Sequence, residues 1–445
     1  DTSFNSGSST DAAGTHVTSI GTGDSVAHAI ALQADGSIVV AGYATNNNNQ
    51  QFALARYTSG GDLDTSFNPR GDNGAAPGTV MTFVDSAISA VQALAVQPDG
   101  RIVAAGSSTG GTLFKVALVR YGADGTPDTH FGPNSDGRVA TAVGTGDSLA
   151  YGMTLDADGK IIVAGQASQG GSKGFALVRY NADGTLDAAF GSSGTVITPI
   201  TGLTDARAEA VAMEPDGKIV AAGFGVDGSN RRVVAVARYT ANGTLDTTFG
   251  SGGIQTTAMG ADDARAHAIA LQTDGKIIVA GSAVSSTGNN VMGTARYLAA
   301  DTPWVLTPDA FHFDNIQRAV VPNTVQTSKM ITVSGLGPGI QVPVTVSDGE
   351  YAKNGASAYT VNRGWARNGD QFNVRHTSIA GEINTTLTIG GMVSANNSKI
   401  VLGKTTADAF SSLSVSILGG SGALAGLSLA ILALAWGLGR RRSGP

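Results

Sequence analysis

The stretch at residues 27–42, AHAIALQADGSIVVAG, constrains this chain most, because it returns four more times. The further copies are VQALAVQPDGRIVAAG from residue 91, AYGMTLDADGKIIVAG from 150, AEAVAMEPDGKIVAAG from 208 and AHAIALQTDGKIIVAG from 266. Each is two apolar runs joined by an Asp-Gly turn, a strong local signal for a β-hairpin. Three markers keep step with it. Phenylalanines stand at Phe4, Phe67, Phe131, Phe190 and Phe249, turn aspartates at Asp35, Asp99, Asp158, Asp216 and Asp274, and Arg-Tyr pairs end at Tyr57, Tyr121, Tyr180, Tyr239 and Tyr297. Spacings of 58 to 64 residues define five copies within residues 1–303, so the chain is a repeat protein.

Each copy offers four strand-length segments, which in the fourth are 194–199, 209–213, 218–223 and 233–239. The run at 218–223 is apolar on both faces, as a strand sandwiched between sheets requires. Ala210, Ala212, Ala221 and Ala222 are small enough for neighbouring sheets to approach closely. No helical period runs through the repeats. These features predict an all-β fold: a β-propeller of five four-stranded blades.

The sequence LDxxFG, then a hairpin of the form PDGKIVVAG, then FALARY and an Asp-Gly or Asn-Gly turn, resembles the bacterial delta-sixty repeat, a family described as a β-propeller. The resemblance covers the five copies. The layout is also similar to the kelch propeller, whose second strand ends in glycine. That analogy implies that the segment from His28 is innermost and the one ending at Gly42 is second. The family implies architecture and surface location, and no catalytic residues.

The same strand order makes residues 15–20 the outer strand of the last blade, closing the ring and removing its open sheet edges. Arg56, Arg120, Arg179 and Arg238 are each followed eight residues later by Asp64, Asp128, Asp187 and Asp246. At that distance from Arg296 stands Trp304, which makes Asp1 the candidate partner of Arg296 in a closed ring. Arginine facing a carboxylate at fixed register serves to cross-link blades through paired hydrogen bonds.

Beyond Tyr297 the pattern changes. Residues 298–303 form a linker whose proline ends the last strand. From 304 to 404, short alternating segments separated by turn clusters predict an immunoglobulin-like sandwich. The run EYAKNGASAYTVNRGWARNGDQFNVRHTS resembles a bacterial surface Ig-like module. Residues 405–416 are small and polar, a second linker. Residues 417–439 are free of charge and precede Arg440, Arg441 and Arg442, a pattern that predicts a transmembrane helix with a cytoplasmic basic end. Gly419-Gly420 ahead of that segment resembles a Gly-Gly C-terminal sorting signal of Gram-negative bacteria. That resemblance implies processing by an intramembrane protease and release to, or retention at, the cell surface. A permanent tail anchor and a buried helix are the alternatives.

Composition narrows the function. Charged residues are 14% of the chain and its net charge is -6, which argues against a nucleic-acid partner. The absence of cysteine excludes disulfide frameworks and thiol nucleophiles. A chain starting at Asp1 without an apolar leader suggests a removed signal peptide or a fragment.

Carboxylates in the Asp-Gly turns, Asp156 and Asp158 above all, invite a calcium reading, but no turn supplies the ligand set of an EF-hand loop. A sharper candidate is the innermost strand, where equivalent positions hold His28, Gln92, Tyr151, Glu209 and His267 amid alanines. In a closed ring Glu209, His267 and His28 would converge as a divalent-metal or small-ligand set. A polar lining is the plain reading of the same residues. No other cofactor is implied. The six histidines form no zincin pattern, and no GxSxG elbow or phosphate loop occurs. Loops at 45–51, 108–112, 168–173, 226–232 and 285–290 differ most between copies and should share one rim, a place for a glycan or protein ligand. Two function classes follow. One is a non-enzymatic envelope protein, its propeller a binding or structural module on an Ig-like stalk. The other is a secreted or surface hydrolase, acting on glycans or esters, with its site in the propeller channel.

Overall fold

The Asp-Gly turns fold each repeated stretch back on itself. In the first, Gly36 takes φ 86°, its N–H returns to Gln33 O at 3.1 Å, and Gln33 N–H donates to Ser37 O at 2.9 Å. This is a type I turn followed by a left-handed glycine rather than a two-residue turn. Asp35 Oδ1 accepts from Ser37 N–H at 2.8 Å, so the turn carboxylate caps its own turn. The computed structural model describes residues 1–298, apart from 7–10, 13, 72–73, 86–87, 157 and 273–274. Beyond these it describes 325–327, 330–334, 336, 342–347, 350–357, 359–360, 364–377, 382–389 and 400–404.

Four hairpin pairs make four-stranded antiparallel sheets. The first runs β1 (Ser25–Leu32), β2 (Ile38–Asn46), β3 (Asn49–Tyr57), β4 (Thr79–Thr82). The second is β5 (Ile88–Val96), β6 (Ile102–Thr109), β7 (Lys115–Tyr121), β8 (Arg138–Thr141). The third is β9 (Ser148–Leu155), β10 (Ile161–Gln169), β11 (Ser172–Tyr180), β12 (Thr195–Thr198). The fourth is β13 (Thr204–Met213), β14 (Ile219–Val226), β15 (Arg232–Tyr239), β16 (Ile254–Thr257). A fifth sheet holds three strands, β17 (Ala264–Leu271), β18 (Ile277–Val284) and β19 (Asn290–Tyr297). The first strands lie side by side, β1 by β5, β5 by β9 and β9 by β13, so the sheets converge on that edge. Small residues permit the approach: a Cβ on Gly152 would lie 3.1 Å from Ala210 Cα.

In the first four sheets the second and third strands are largely buried and interleave between sheets, whereas β19 of the fifth is mostly exposed. Phe52 and Leu54 pack with Val91, Ile102 and Ala104 of the second sheet, and Val103 and Leu118 pack with Ile161 and Val178 of the third. The marker phenylalanine is a joint between copies. Phe131 is fully buried, and the turn glycine Gly184 of the next copy rests on its ring. Truncating a side chain so placed costs about 3–5 kcal/mol.

The arginines complete the joint. Arg120 Nε donates to Asp128 Oδ2 at 2.8 Å, its guanidinium stacks 4.5 Å from the Phe131 ring centre, and Nη1 donates to Ala182 O in the next copy. Arg56, Arg179 and Arg238 pair with Asp64, Asp187 and Asp246 at 2.7, 2.8 and 2.9 Å and stack on Phe67, Phe190 and Phe249. A second cation joins from the start of the second strand: Arg101 on Asp128 at 3.3 Å and Lys160 on Asp187 at 2.6 Å. Burial alone would raise the carboxyls of Asp128 and Asp187; hydrogen bonds and these cations outweigh it and hold both below the usual range. A buried tyrosine ties the outer strands of the first three sheets to the next sheet, as Tyr180 Oη donates to Thr141 Oγ1 at 2.8 Å.

The closing strand expected at residues 15–20 is not formed, and the fifth sheet is three-stranded rather than four-stranded. The segment nevertheless holds an outer-strand place against β3, with Tyr57 Oη on Thr18 Oγ1 at 2.8 Å and Phe4 under Gly61. Asn5 Nδ2 donates to Thr15 O at 2.7 Å, as Asn68 Nδ2 does to Thr79 O at 2.8 Å in β4, and Asp11 Oδ2 accepts from Val17 N–H at 3.2 Å. Asp1 Oδ1 accepts from the N–H and hydroxyl of Ser3, as Asp64 Oδ1 does from those of Ser66.

The chain divides into two compact units, Asp1–Met213, Lys218–Ala268 and Gly281–Gly293 in one, and Glu214–Gly217, Ile269–Ala280 and Thr294–Pro445 in the other; Arg296 belongs to the second. That unit contains two antiparallel sheets. One is β20 (Val325–Thr327), β25 (Gln371–Thr377) and β21 (Ile331–Thr332), with β23 (Glu350–Lys353) also on β25. The other is β24 (Gly364–Ala366), β22 (Val342–Ser347), β26 (Glu382–Ile389) and β27 (Ile400–Lys404). Phe372, Val374, Val342, Val344 and Ile389 are buried, and the Tyr351 hydroxyl sits where a Cβ on Gly364 would stand. The linker at 405–416, the transmembrane segment 417–439, its Gly-Gly signal and Arg440, Arg441 and Arg442 lie outside the described residues. Among the described residues no helix is long and apolar enough to cross a membrane.

Candidate functional site

Pairing between first and second strands slips at the same place in each of the first four copies, and in the fourth it slips a second time between Thr204 and Arg207. Ala27 faces Gly42 while Ala29 faces Ala41, leaving His28 as the extra residue of a β-bulge. Gln92, Tyr151 and Glu209 are the extra residues in the next three sheets, opposite Gly106, Gly165 and Gly223. The bulge explains the glycine. A Cβ on Gly42, Gly106, Gly165 or Gly223 would collide with the backbone oxygen of Val26, Ala90, Leu149 or Arg207. Gly281 meets Arg265 O in the same way, below His267. A bulge re-aims a side chain out of the sheet's alternation, and the polar residues amid alanines sit on it. Ser25 pairs with Ala44, so the bulges lie toward the end of the sheets that carries the β2–β3 type of loop.

Three successive first strands join their bulge side chains into one chain of contacts. Arg207 Nη1 donates to Tyr151 Oη at 3.3 Å, and its Nε donates to Glu209 Oε1 at 2.8 Å. The other Glu209 oxygen, Oε2, accepts from His267 Nδ1. A carboxylate only accepts, so Nδ1 carries the proton and Nε2 of the neutral ring is free to accept. Nε2 faces Ser282 Oγ at 3.3 Å. Burial pushes the Glu209 carboxyl up, but hydrogen bonds from His267 and Arg207 and the Arg207 charge hold it below its ordinary value. Arg207 is moved up by Glu209 against the opposing effect of burial. The His267 side chain is 50% exposed and Glu209 only 10%, a buried anion under an accessible imidazole.

The expected meeting of His28, Glu209 and His267 does not occur. His28 Nδ1 donates to Val91 O at 2.8 Å and its ring lies edge-on to Tyr43, 5.7 Å away, because the bulge on β1 turns it toward β5. Among the described residues no three His, Asp or Glu side chains converge as a metal site. Tyr151 is in the cluster through Arg207, and Gln92 stands half-buried on its own bulge. Asp156 Oδ1 accepts from the N–H groups of Asp158 and Lys160, both at 2.8 Å, which is turn chemistry. A groove lined by Asp99, Arg101, Asp158 and Asp183 lies at that turn end of the sheets, away from the bulges.

Arg207 and Ser282 escaped sequence reasoning. Ser282 follows the Ala-Gly pair of β18, a position held in the other copies by Tyr43, Ser107, Gln166 and Phe224. These side chains reach the neighbouring sheet: Ser107 Oγ accepts from Ala150 N–H at 3.0 Å, and Phe224, flanked by Arg207 and Arg232 of its own sheet at 4.8 and 5.7 Å, meets Arg265 of the next at 5.1 Å. The signal was the variation at that position, as wide as at the bulge.

The sequence matches the family described as a β-propeller domain of unknown function, DUF5122, at residues 33–67, 97–131, 157–190, 214–249 and 272–303. Together with the repeated antiparallel sheets, this makes the chain a β-propeller repeat protein. No curated protein matches it. Among solved structures it is similar to an aldose sugar dehydrogenase from Streptomyces coelicolor in its PQQ-bound form, at 16% identity and a TM-score of 0.34, covering 59% of this chain and 76% of that one. The endo-arabinanase of glycoside hydrolase family 43 from Bacillus licheniformis gives 11% and 0.32, covering 63% and 96%. The polysaccharide lyase Uly1 gives 11% and 0.35, covering 78% and 76%. At these identities and TM-scores no residue role passes to this chain.

Proposed function

We propose that the repeats form a rigid binding scaffold in an exported envelope protein, and that its ligand is taken at the bulge-borne cluster. One observation carries the reading: in first strands rich in alanine and other apolar residues, Tyr151, Arg207, Glu209 and His267 from three sheets form one half-exposed polar network. An aromatic ring, a guanidinium fork and a carboxylate in one place suit a polyhydroxylated ligand such as a glycan. The variable loops near the same end would extend the contact. An Ig-like reading of the second unit is supported by its two antiparallel sheets, which would serve as a stalk. Export and surface retention, by way of a sorting protease acting at Gly419-Gly420 or of a permanent tail anchor, are supported by the uncharged segment at 417–439 and the arginines after it.

The test is a glycan array probed with the full chain, followed by titration of the best ligand. Arg207→Ala should weaken binding at least about tenfold, since hydrogen bonds to a charged group contribute roughly 1.5–3 kcal/mol. Gln92→Ala should leave binding unchanged. Equal binding by the wild type and Arg207→Ala places the ligand elsewhere and ends this reading.

A further inference from the structure

We propose that Ser282, His267 and Glu209 form a nucleophile–base–carboxylate relay that hydrolyses O-acyl esters. This adds a reacting atom to the cluster and so goes beyond binding. Geometry carries it. Ser282 Oγ lies 3.3 Å from His267 Nε2, within the looser range of unliganded sites, and Glu209 fixes the opposite ring nitrogen. Glu209 is in turn held by Arg207 through its other oxygen, at 2.8 Å from Nε and 2.5 Å from Nη2, so the positioning group is itself positioned. The imidazole is half exposed, which leaves an approach for the substrate.

The repeats provide an internal comparison. The paired positions on the bulge and after the glycine read His28 and Tyr43, Gln92 and Ser107, Tyr151 and Gln166, Glu209 and Phe224, and His267 and Ser282. Imidazole and aliphatic hydroxyl coincide in the fifth copy alone, and there the preceding copy supplies the carboxylate. His28 has the same ring on the same bulge, yet its Nδ1 is spent on Val91 O.

The chemistry balances without a cofactor. Ser282 Oγ adds to the acyl carbonyl carbon as its proton passes to His267 Nε2. The ester C–O bond then breaks, and the leaving alkoxide takes that proton and departs as the alcohol. Water, giving a proton to the same nitrogen, adds to the acyl carbon of the acyl-serine; the bond between that carbon and Ser282 Oγ breaks, the proton returns to Oγ, and the carboxylic acid leaves. Glu209 stays ionised throughout and is a positioning residue.

The experiment uses the full chain with p-nitrophenyl acetate and butyrate, and a fluorophosphonate probe mapped by peptide mass spectrometry. The expected result is one adduct, on Ser282. Ser282→Ala should lose the adduct and all turnover above background, and His267→Ala should fall at least about a hundredfold. Glu209→Gln should slow acylation by lowering kcat while KM for p-nitrophenyl butyrate and the melting temperature stay in place. A purely structural role for Glu209 would lower the melting temperature and change both kinetic constants together. His28→Ala should match the wild type. Adduct formation on another residue, no adduct, or full turnover by Ser282→Ala with an unchanged circular dichroism spectrum each overturns the proposal. Turnover lost in Ser282→Ala with glycan binding kept separates the relay from the binding reading. Binding lost in Arg207→Ala with no adduct in the wild type retains binding and removes the relay.

Discussion

Replacing Gly223 by alanine sets two rules against each other. Glycine inside a strand costs roughly 0.5–1 kcal/mol relative to alanine, so propensity alone makes the change stabilising. The bulge says the opposite. A Cβ at Gly223 would collide with Arg207 O, well inside the ordinary C···O approach of about 3.3–3.6 Å. Relief requires β13 and β14 to separate or the bulge to be expelled. Overpacking of this kind costs about 1–3 kcal/mol, and one or two weakened ladder bonds add about 1 kcal/mol each. Less the propensity gain, Gly223→Ala should destabilise the repeats by about 2–3 kcal/mol, or about 4–12 °C in melting temperature for a unit of this size. Gly106→Ala meets Ala90 O in the same way and should cost the same. The assay is urea unfolding of the full chain followed by far-UV circular dichroism and tyrosine fluorescence. Tryptophan is no reporter, because Trp304, Trp365 and Trp436 all lie outside the repeats. Only Gly223→Ala should also reduce fluorophosphonate labelling, since it moves Glu209 whereas Gly106→Ala moves Gln92. Equal or higher stability in both variants would refute the bulge as the reason for the glycine. Equal loss of labelling in both would refute the placement of the site.

The remaining expectations concern the joints between copies. Arg120→Ala should cost about 3–5 kcal/mol, the range for breaking a buried pair; Arg120→Lys should recover only part of it, since one ammonium cannot serve Asp128, Ala182 O and the Phe131 face together, and urea midpoints decide both. Asp128 and Asp187 have folded pKa values below the unfolded value of about 3.9. Their contribution is therefore full above that value and lost as pH falls through the folded pKa, so the urea midpoint should hold from pH 7 to about pH 5 and drop below about pH 4. Tyr180→Phe removes a buried hydroxyl whose partner Thr141 is then unpaired, and should cost about 1–3 kcal/mol by thermal melting. Burial raises Tyr121, Tyr180 and Tyr239, so phenolate absorbance in an alkaline titration should show these three ionising only on unfolding.

What was legible in the sequence was what depends on near neighbours along the chain. Hairpins were legible because Asp-Gly and the apolar runs set them locally. The pairing of Arg56 with Asp64 was legible because eight residues carry β3 round one turn and back. The bulges were not, since a bulge is a relation between two strands, and the sequence displays only its partner, the glycine. Ser282 was missed because cross-strand pairing, not spacing, brings it to His267. His28 was placed with Glu209 and His267 because a closed ring would make the first and fifth copies neighbours, whereas its Nδ1 is on Val91 O of the second sheet. The closing strand was not decided locally: residues 15–20 keep the side-chain bonds of an outer strand, Thr15 O on Asn5 as Thr79 O is on Asn68 in β4, but among the described residues no strand pairs with them.

A residue on a bulge belongs to no rung of the ladder. At Gln92, Tyr151 and Glu209 the strands on either side keep their pairing whatever side chain stands there, with the opposite glycine absorbing the displacement. Each copy therefore carries one position at which mutation can rewrite chemistry without renegotiating architecture. Duplication of such a unit multiplies these positions and sets them next to one another in space. New sites in this kind of protein can arise by combining single letters from separate copies, long before any loop is lengthened or any domain acquired.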